Sequence, residues 1–432
     1  MFRVDLRDVL RRTFGFSDFR PHQREIVEAI LSGRDVFAAL PTGGGKSLCY
    51  QLPGIVAEEL AVVVSPLIAL MEDQVSAARE QGIAAAALNS SLDEDEAIQT
   101  WRDLRDGRLD LLYVSPERLG SEGFRETLAE VGVGLVAVDE AHCISEWGHE
   151  FRPDYRALQN LRAWFPTATI AAFTATATGR VQEDVIALLQ LREPHVVRAS
   201  FDRPEIFYRV RRKDTVDRQI VAFARSHRGQ AGIVYRATRK AVEQTAAALE
   251  RAGVRARPYH AGMATEARTA HQRAFVHDEV EVIVATIAFG MGIDKANVRW
   301  VVHGDLPRSL EAWYQETGRA ARDGDPADTC LFYGPGDVAT IRYHINQMEV
   351  PEERARAEAQ LTEMLRFVDG ESCRRVRLLA HFDQAYEPPC GACDVCAGEI
   401  AFADRTVPAQ KLLSAAVRTG ERFGAAHLVD VL

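Results

Sequence analysis

DVFAALPTGGGKS (35–47) runs from an unbroken apolar stretch into a glycine-rich turn that closes on Lys-Ser. The first half reads as a buried strand and the second as a turn opening a helix. Successive glycines let backbone N–H groups approach phosphate oxygens, and the following helix N-terminus adds positive potential. Thr42, Gly43, Gly44 and Gly45 then form a nucleotide cradle. Lys46 is placed to reach the β- and γ-phosphates of ATP, and Ser47 to hold Mg²⁺. The strict phosphate-loop pattern has Gly at position 40, where this chain has Leu40; the GGGKS half is intact. A glycine turn kept for packing alone is the competing reading. Composition weighs against it: of 52 basic residues only Lys46, Lys213, Lys240, Lys295 and Lys411 are lysine. A lysine inside a glycine turn is therefore not a by-product of a lysine-rich chain.

Around this turn, apolar runs ending in polar loops recur at 61–66, 109–117, 135–142 and 170–176, with helical stretches at 67–81 and 155–164. Buried strands alternating with helices imply a parallel, doubly wound sheet. SFDRPEIFYRVRRKD (200–214) is polar and Arg-rich and reads as a linker. The alternation restarts at 230–238, 280–287, 299–307 and 328–335, predicting a second α/β domain. Beyond 336 the strand signal stops, and 353–369 is helical in pattern. The expected division is 1–205, 206–338, 339–400 and 401–432, the last stretch being too short to close a core of its own.

VDEAH (138–142) ends a predicted strand with two adjacent carboxylates. Behind a phosphate loop, Asp139 suits Mg²⁺ and Glu140 suits a general base acting on the attacking water. QETGRAARDG (315–324) carries Arg319 and Arg322 three residues apart, on one face of a helical turn. Such a pair can stabilise charge on a transferring phosphoryl group; a solvated basic face is the alternative. Together these parts predict a cleft between two lobes with ATP bound in it, which is the layout of a motor.

The seven cysteines are Cys49, Cys143, Cys330, Cys373, Cys390, Cys393 and Cys396. Cys373 with the CGACDVC knuckle (390–396) has spacing that fits a tetrahedral Zn²⁺ site. An iron–sulfur cluster is the alternative, although the C-x₃-C-P ending of bacterial ferredoxins is absent. The net charge of -10 argues weakly against nucleic-acid binding, since a motor needs only a local basic groove. No apolar run reaches about 18 residues, and the first residues lack the apolar core of a secretory signal. A cytoplasmic protein, nucleoid-associated if bacterial, is expected.

PTGGGKS, DEAH, FTATAT (173–178) and QETGRAARDG in this order resemble a superfamily 2 helicase. FGFSDFRPHQ (14–23), SPLIALMEDQV (65–75), CISEWGHEFRPDY (143–155) and AFGMGIDKANVRWVVHGDLP (288–307) make the resemblance specific to RecQ, over nearly the whole chain. It implies two tandem RecA-like parallel-sheet domains, a small helical zinc-binding subdomain and the truncated start of a winged helix. It implies an ATP-dependent DNA helicase moving 3′ to 5′ on single-stranded and tailed duplex DNA in recombination and repair. Gln23 is implied to read adenine, with Phe16 and Arg20 sandwiching the ring and Asp294 near the ribose. Gln315 joins the catalytic set with Lys46, Asp139, Glu140, Arg319 and Arg322. The segment 143–155 resembles an aromatic-rich loop, which makes His142, Trp147, Phe151 and Arg152 the expected DNA contacts; core packing of Trp147 is the competing reading. A monomer is expected, with single-strand DNA-binding protein as a partner. The competing functions are an RNA helicase of the DEAH type and a DNA-binding or annealing module with an idle ATPase. Two departures from the family stand out: Ala321 replaces a usual Gly, and Ala296 a common Pro.

Overall fold

The computed structural model describes residues 4–431 except 58, 67, 90–91, 93, 149–151, 287–288, 290–294, 401–404, 425–426 and 429–430. Phe151 and Asp294 therefore lie outside the described residues.

Seven strands build the first sheet: β1 (Val36–Ala39), β2 (Leu60–Val64), β3 (Ala85–Leu88), β4 (Leu111–Val114), β5 (Val133–Val138), β6 (Thr169–Thr174) and β7 (His195–Arg198). Their order is β3-β4-β2-β5-β6-β1-β7, and every pairing is parallel. Alternate residues feed two separate cores. Phe37, Val62 and Val136 face one, while Val36, Val63 and Leu135 face the other. Burial on both faces is why these strands read as continuous apolar runs.

The second sheet has six parallel strands: β8 (Ile206–Arg212), β9 (Ala231–Tyr235), β10 (Ala256–Tyr259), β11 (Val282–Ala285), β12 (Val298–His303) and β13 (Ala327–Tyr333), in the order β10-β11-β9-β12-β13-β8. The linker expected over 200–214 is corrected here, because 206–212 is strand β8. Ile206, Tyr208 and Val210 point inward and the residues between them outward, a period-2 pattern hidden by the arginines that occupy the outer face.

Helices Pro335–Asn346, Pro351–Asp369 and Arg374–His381 then carry the chain to the cysteine knuckle. The knuckle covers the free side of β8. The N–H of Asp394 donates to the Tyr208 carbonyl (3.0 Å), the Tyr208 N–H to Ala392 (3.2 Å) and the Val210 N–H to the Asp394 carboxylate (2.8 Å). An edge strand that would otherwise present unpaired groups is thereby capped. Phe382, from the end of the same helical module, stacks on Phe201 and packs on Tyr314. One apolar core thus continues from the first sheet through the second into the cysteine module. No described helix is long and apolar enough to cross a membrane.

Candidate functional site

In a parallel sheet the carboxyl ends share one edge, and ligands sit there. The central order β5-β6-β1 puts three exits side by side: the glycine turn after β1, Asp139 and Glu140 after β5, and the Thr174–Thr178 segment after β6. Gly45 takes the left-handed conformation (φ 75°) that starts the helix Lys46–Val56, so Lys46 is its first residue. That φ strains any residue with a Cβ, and a Cβ on Gly45 would also displace the Gln23 amide.

A cavity of about 450 Å³ opens at this edge. Lys46, Ser47, Asp139 and Glu140 line it from the first lobe, and Gln315, Arg319 and Arg322 from the second. Phe16, Arg20 and Gln23 close a third side. The lobes touch directly: a Cβ built on Gly318 lies 3.4 Å from the Thr42 side chain, and one on Gly43 lies 3.5 Å from Arg322.

Burial, together with the neighbouring Glu140 charge, pushes the Asp139 carboxyl up to about 7, while Lys46 pulls it down. Two carboxylates facing one lysine leave a deficit of positive charge. With the Ser47 hydroxyl they form an all-oxygen donor set, which suits Mg²⁺. Behind the acids, the Tyr155 hydroxyl donates to the Asp139 carbonyl (3.1 Å).

His142 is 1% exposed, with Nδ1 2.9 Å from Thr174 Oγ1 and 3.4 Å from Glu140 Oε2. The side chain expected to meet DNA is thus interior here, and it ties the acidic pair to the Thr174–Thr178 segment. From the other lobe, Gln315 Nε2 donates to Thr176 Oγ1 (3.3 Å).

Gln23 is also more engaged than the sequence foretold. Its amide oxygen accepts from the Arg20 N–H (2.8 Å), and its nitrogen donates to the Gly45 carbonyl (3.1 Å). Arg20 bonds the Gly43 carbonyl. The expected adenine readers grip the glycine turn itself, whereas Phe16 is half exposed at the cavity mouth.

Trp147 is 42% exposed, but two guanidinium groups approach its ring, Arg180 at 3.1 Å and Arg356 at 5.1 Å from the centroid. Arg356 comes from the helix Pro351–Asp369 and also bonds the Glu146 carbonyl. Arg152 donates to the Pro66 carbonyl (3.0 Å). Neither Arg180 nor Arg356 was foreseen, and only their positions in space bring them to Trp147.

Ala321 stands where the resemblance places a usual Gly. It is buried at φ 57°, where a Cβ is strained. Ala321→Gly is expected to stabilise the second lobe by about 1 kcal/mol, since Ala at positive φ is the unfavourable partner of that exchange. Thermal unfolding of the two proteins checks this; an equal or lower midpoint for the glycine variant would show that the surroundings absorb the methyl group.

The four cysteine sulfurs lie within 4.8 Å of one another, Cys373 and Cys393 at 3.9 Å. Tetrahedral Zn–S bonds of about 2.3 Å require sulfurs about 3.8 Å apart, so the cluster fits the ion. Cys49, Cys143 and Cys330 are buried elsewhere.

Four family models match the chain: DEAD/DEAH box helicase over 20–185, helicase conserved C-terminal domain over 212–324, RecQ zinc-binding over 335–397 and RQC domain over 400–432. The ATP-dependent DNA helicase RecQ of Pasteurella multocida is 45% identical over 98% of this chain and 67% of its own length. That of Bacillus subtilis is 40% identical over 99% of this chain and 72% of its own. Among solved structures, Mycobacterium smegmatis helicase Lhr bound to ssDNA and AMP-PNP superposes with a TM-score of 0.59 at 22% identity, covering 78% of this chain and 49% of that one. The DUF1998 helicase MrfA bound to DNA and AMPPNP gives 0.64 at 17% identity, over 87% and 56%. These two likenesses show the fold.

Proposed function

The chain belongs to the RecQ family and is an ATP-dependent DNA helicase, and on that footing we propose how its residues divide the work. The observation that carries the proposal is the meeting of both lobes on one cavity. Lys46 holds the β- and γ-phosphates. Ser47 and Asp139 hold Mg²⁺, which when bound neutralises phosphate charge. Glu140 accepts the proton of the attacking water. Arg319 and Arg322, with Gln315 beside them, bring positive charge to the transferring phosphoryl group from the opposite lobe. Adenine enters against Phe16 and takes up the Gln23 amide, which must then release the glycine turn. His142 and Thr174 relay the state of the acidic pair to Thr176 and Gln315.

Cys373, Cys390, Cys393 and Cys396 hold the zinc. Residues 1–205 and 206–338 act as the two motor lobes, with 339–400 as the zinc module and 401–432 as the opening of a further domain. Single-stranded DNA meets Trp147 and Arg152, and movement runs 3′ to 5′. A cytoplasmic monomer working beside single-strand DNA-binding protein completes the reading. An RNA substrate is disfavoured by the family and by the four-cysteine module.

ATP hydrolysis measured alone, with single-stranded DNA and with RNA tests the substrate. Trp147→Ala tests the coupling. Base stacking contributes about 1–3 kcal/mol, so DNA stimulation should fall about tenfold or more while DNA-free turnover persists. A variant that answers DNA like the parent would make the loop structural.

A further inference from the structure

Arg203 lies in the short segment between β7 and β8 and is only 6% exposed. A guanidinium has five N–H donors in a fixed planar fork. Here there are five acceptors. Nε donates to Glu205 Oε1 (2.6 Å), and Nη1 to the carbonyls of Thr42 and Gly318, each at 3.2 Å. Nη2 donates to the carbonyls of Ala320 (2.9 Å) and Ala321 (3.0 Å).

The split of these partners is informative. Thr42 belongs to the nucleotide cradle of the first lobe. Gly318, Ala320 and Ala321 form the loop that carries Arg319 and leads into Arg322. An arginine serving one lobe's stability would bond within that lobe. This one joins two loops from opposite sides of the cavity. The segment that bears it is itself held, since the Tyr314 hydroxyl donates to the Phe201 carbonyl at 3.0 Å.

We propose that Arg203 is a positioning residue for ATP hydrolysis, whose guanidinium fixes the arginine-bearing loop of the second lobe against the nucleotide cradle of the first. The proposal rests on reading Arg319 and Arg322 as phosphate-facing groups. Three of the five bonds go to the arginine loop and one to the cradle, so Arg203, at the junction of the two lobes, ties that loop to the cradle wherever both are in reach. Lysine has one nitrogen, three donors and no planar fork, and cannot span these carbonyls.

The test is steady-state ATPase at saturating single-stranded DNA, with equilibrium binding of AMP-PNP measured beside it. Small displacements of reacting groups cost up to about 100-fold in rate, so Arg203→Ala and Arg203→Lys should lower kcat about 10- to 100-fold. AMP-PNP affinity should stay within about threefold, because first-lobe residues make most of the nucleotide site. Arg203→Ala combined with Arg322→Ala should be within about threefold of Arg322→Ala alone, since both act on one step. Zinc content and thermal midpoint verify folding; if the alanine variant does not fold, the lysine variant is read in its place. Full turnover by Arg203→Lys, or losses that multiply in the double variant, would overturn the inference. Full turnover by both Arg319→Ala and Arg322→Ala would instead sink the reading it rests on.

Discussion

Lys46→Ala is expected to abolish ATP turnover while leaving the chain folded. Lys46 stands at the first position of its helix, where the unpaired N–H groups already favour an anion. It is the only cation of the glycine turn, and its charge also opposes the mutual repulsion of Asp139 and Glu140. Removing it takes away positive charge where charge develops on the phosphates. Loss of one such electrostatic group costs about 10²–10³ in rate. The side chain borders a cavity rather than filling a core, so stability should be nearly unchanged. ATPase assays on the purified variant, with circular dichroism and zinc content as controls for folding, decide the matter. Turnover within a factor of about two of the parent would refute the phosphate-loop assignment.

Cys393→Ser is expected to empty the zinc site and unfold the helical module. Cys393 is fully buried, with its sulfur beside Cys373 and its backbone bridging Tyr208 of β8. Structural zinc supplies apparent binding energies of about 10–16 kcal/mol that are also folding energy. Burial, and after it the neighbouring thiols, push the Cys390 thiol up, and because zinc is held by thiolates, assembly of the site releases protons. Elemental analysis should give one zinc per chain for the parent and almost none for the variant. Proteolysis should then concentrate between 335 and 400. Iron with sulfide in a brown sample would reject zinc; an unchanged digestion pattern in the zinc-free variant would show that the module stands without the metal.

The main strands and the motif order were legible because each declares itself within a few residues. Continuous apolar runs marked β1, β2, β4, β5 and β6, and the glycine turn, the acid pair and the arginine pair lie within single short segments. Four strands, β3, β7, β8 and β10, are not legible in this way, and three of them carry contrary local signals. β3 is AAAL, poor in the branched residues that favour strands, and β10 is ARPY, with a proline and an arginine. β8 was masked by its outward arginines, although its inward residues alternate correctly. The site was legible in its parts and less so in its contacts. Nothing local shows that His142 turns inward, that Gln23 grips the glycine turn, or that Arg203 reaches across the cavity. Those facts depend on which strand exits are neighbours, which topology settles and sequence spacing does not.

The cap on β8 has a consequence for biosynthesis. β8 pairs with β13 on one side and the cysteine knuckle on the other, and both lie far downstream in the chain. At the usual ribosomal pace of about 5–20 residues per second, the roughly 180 residues from Arg212 to Cys390 take about 9–36 s to make. Throughout that interval the Ile206–Arg212 ribbon is a strand without its final neighbours, and its outer arginines, by mutual repulsion, discourage nascent chains on one messenger from pairing there. The edge of the second sheet is therefore covered only after the cysteine knuckle has been made, which ties completion of that sheet to a segment outside it.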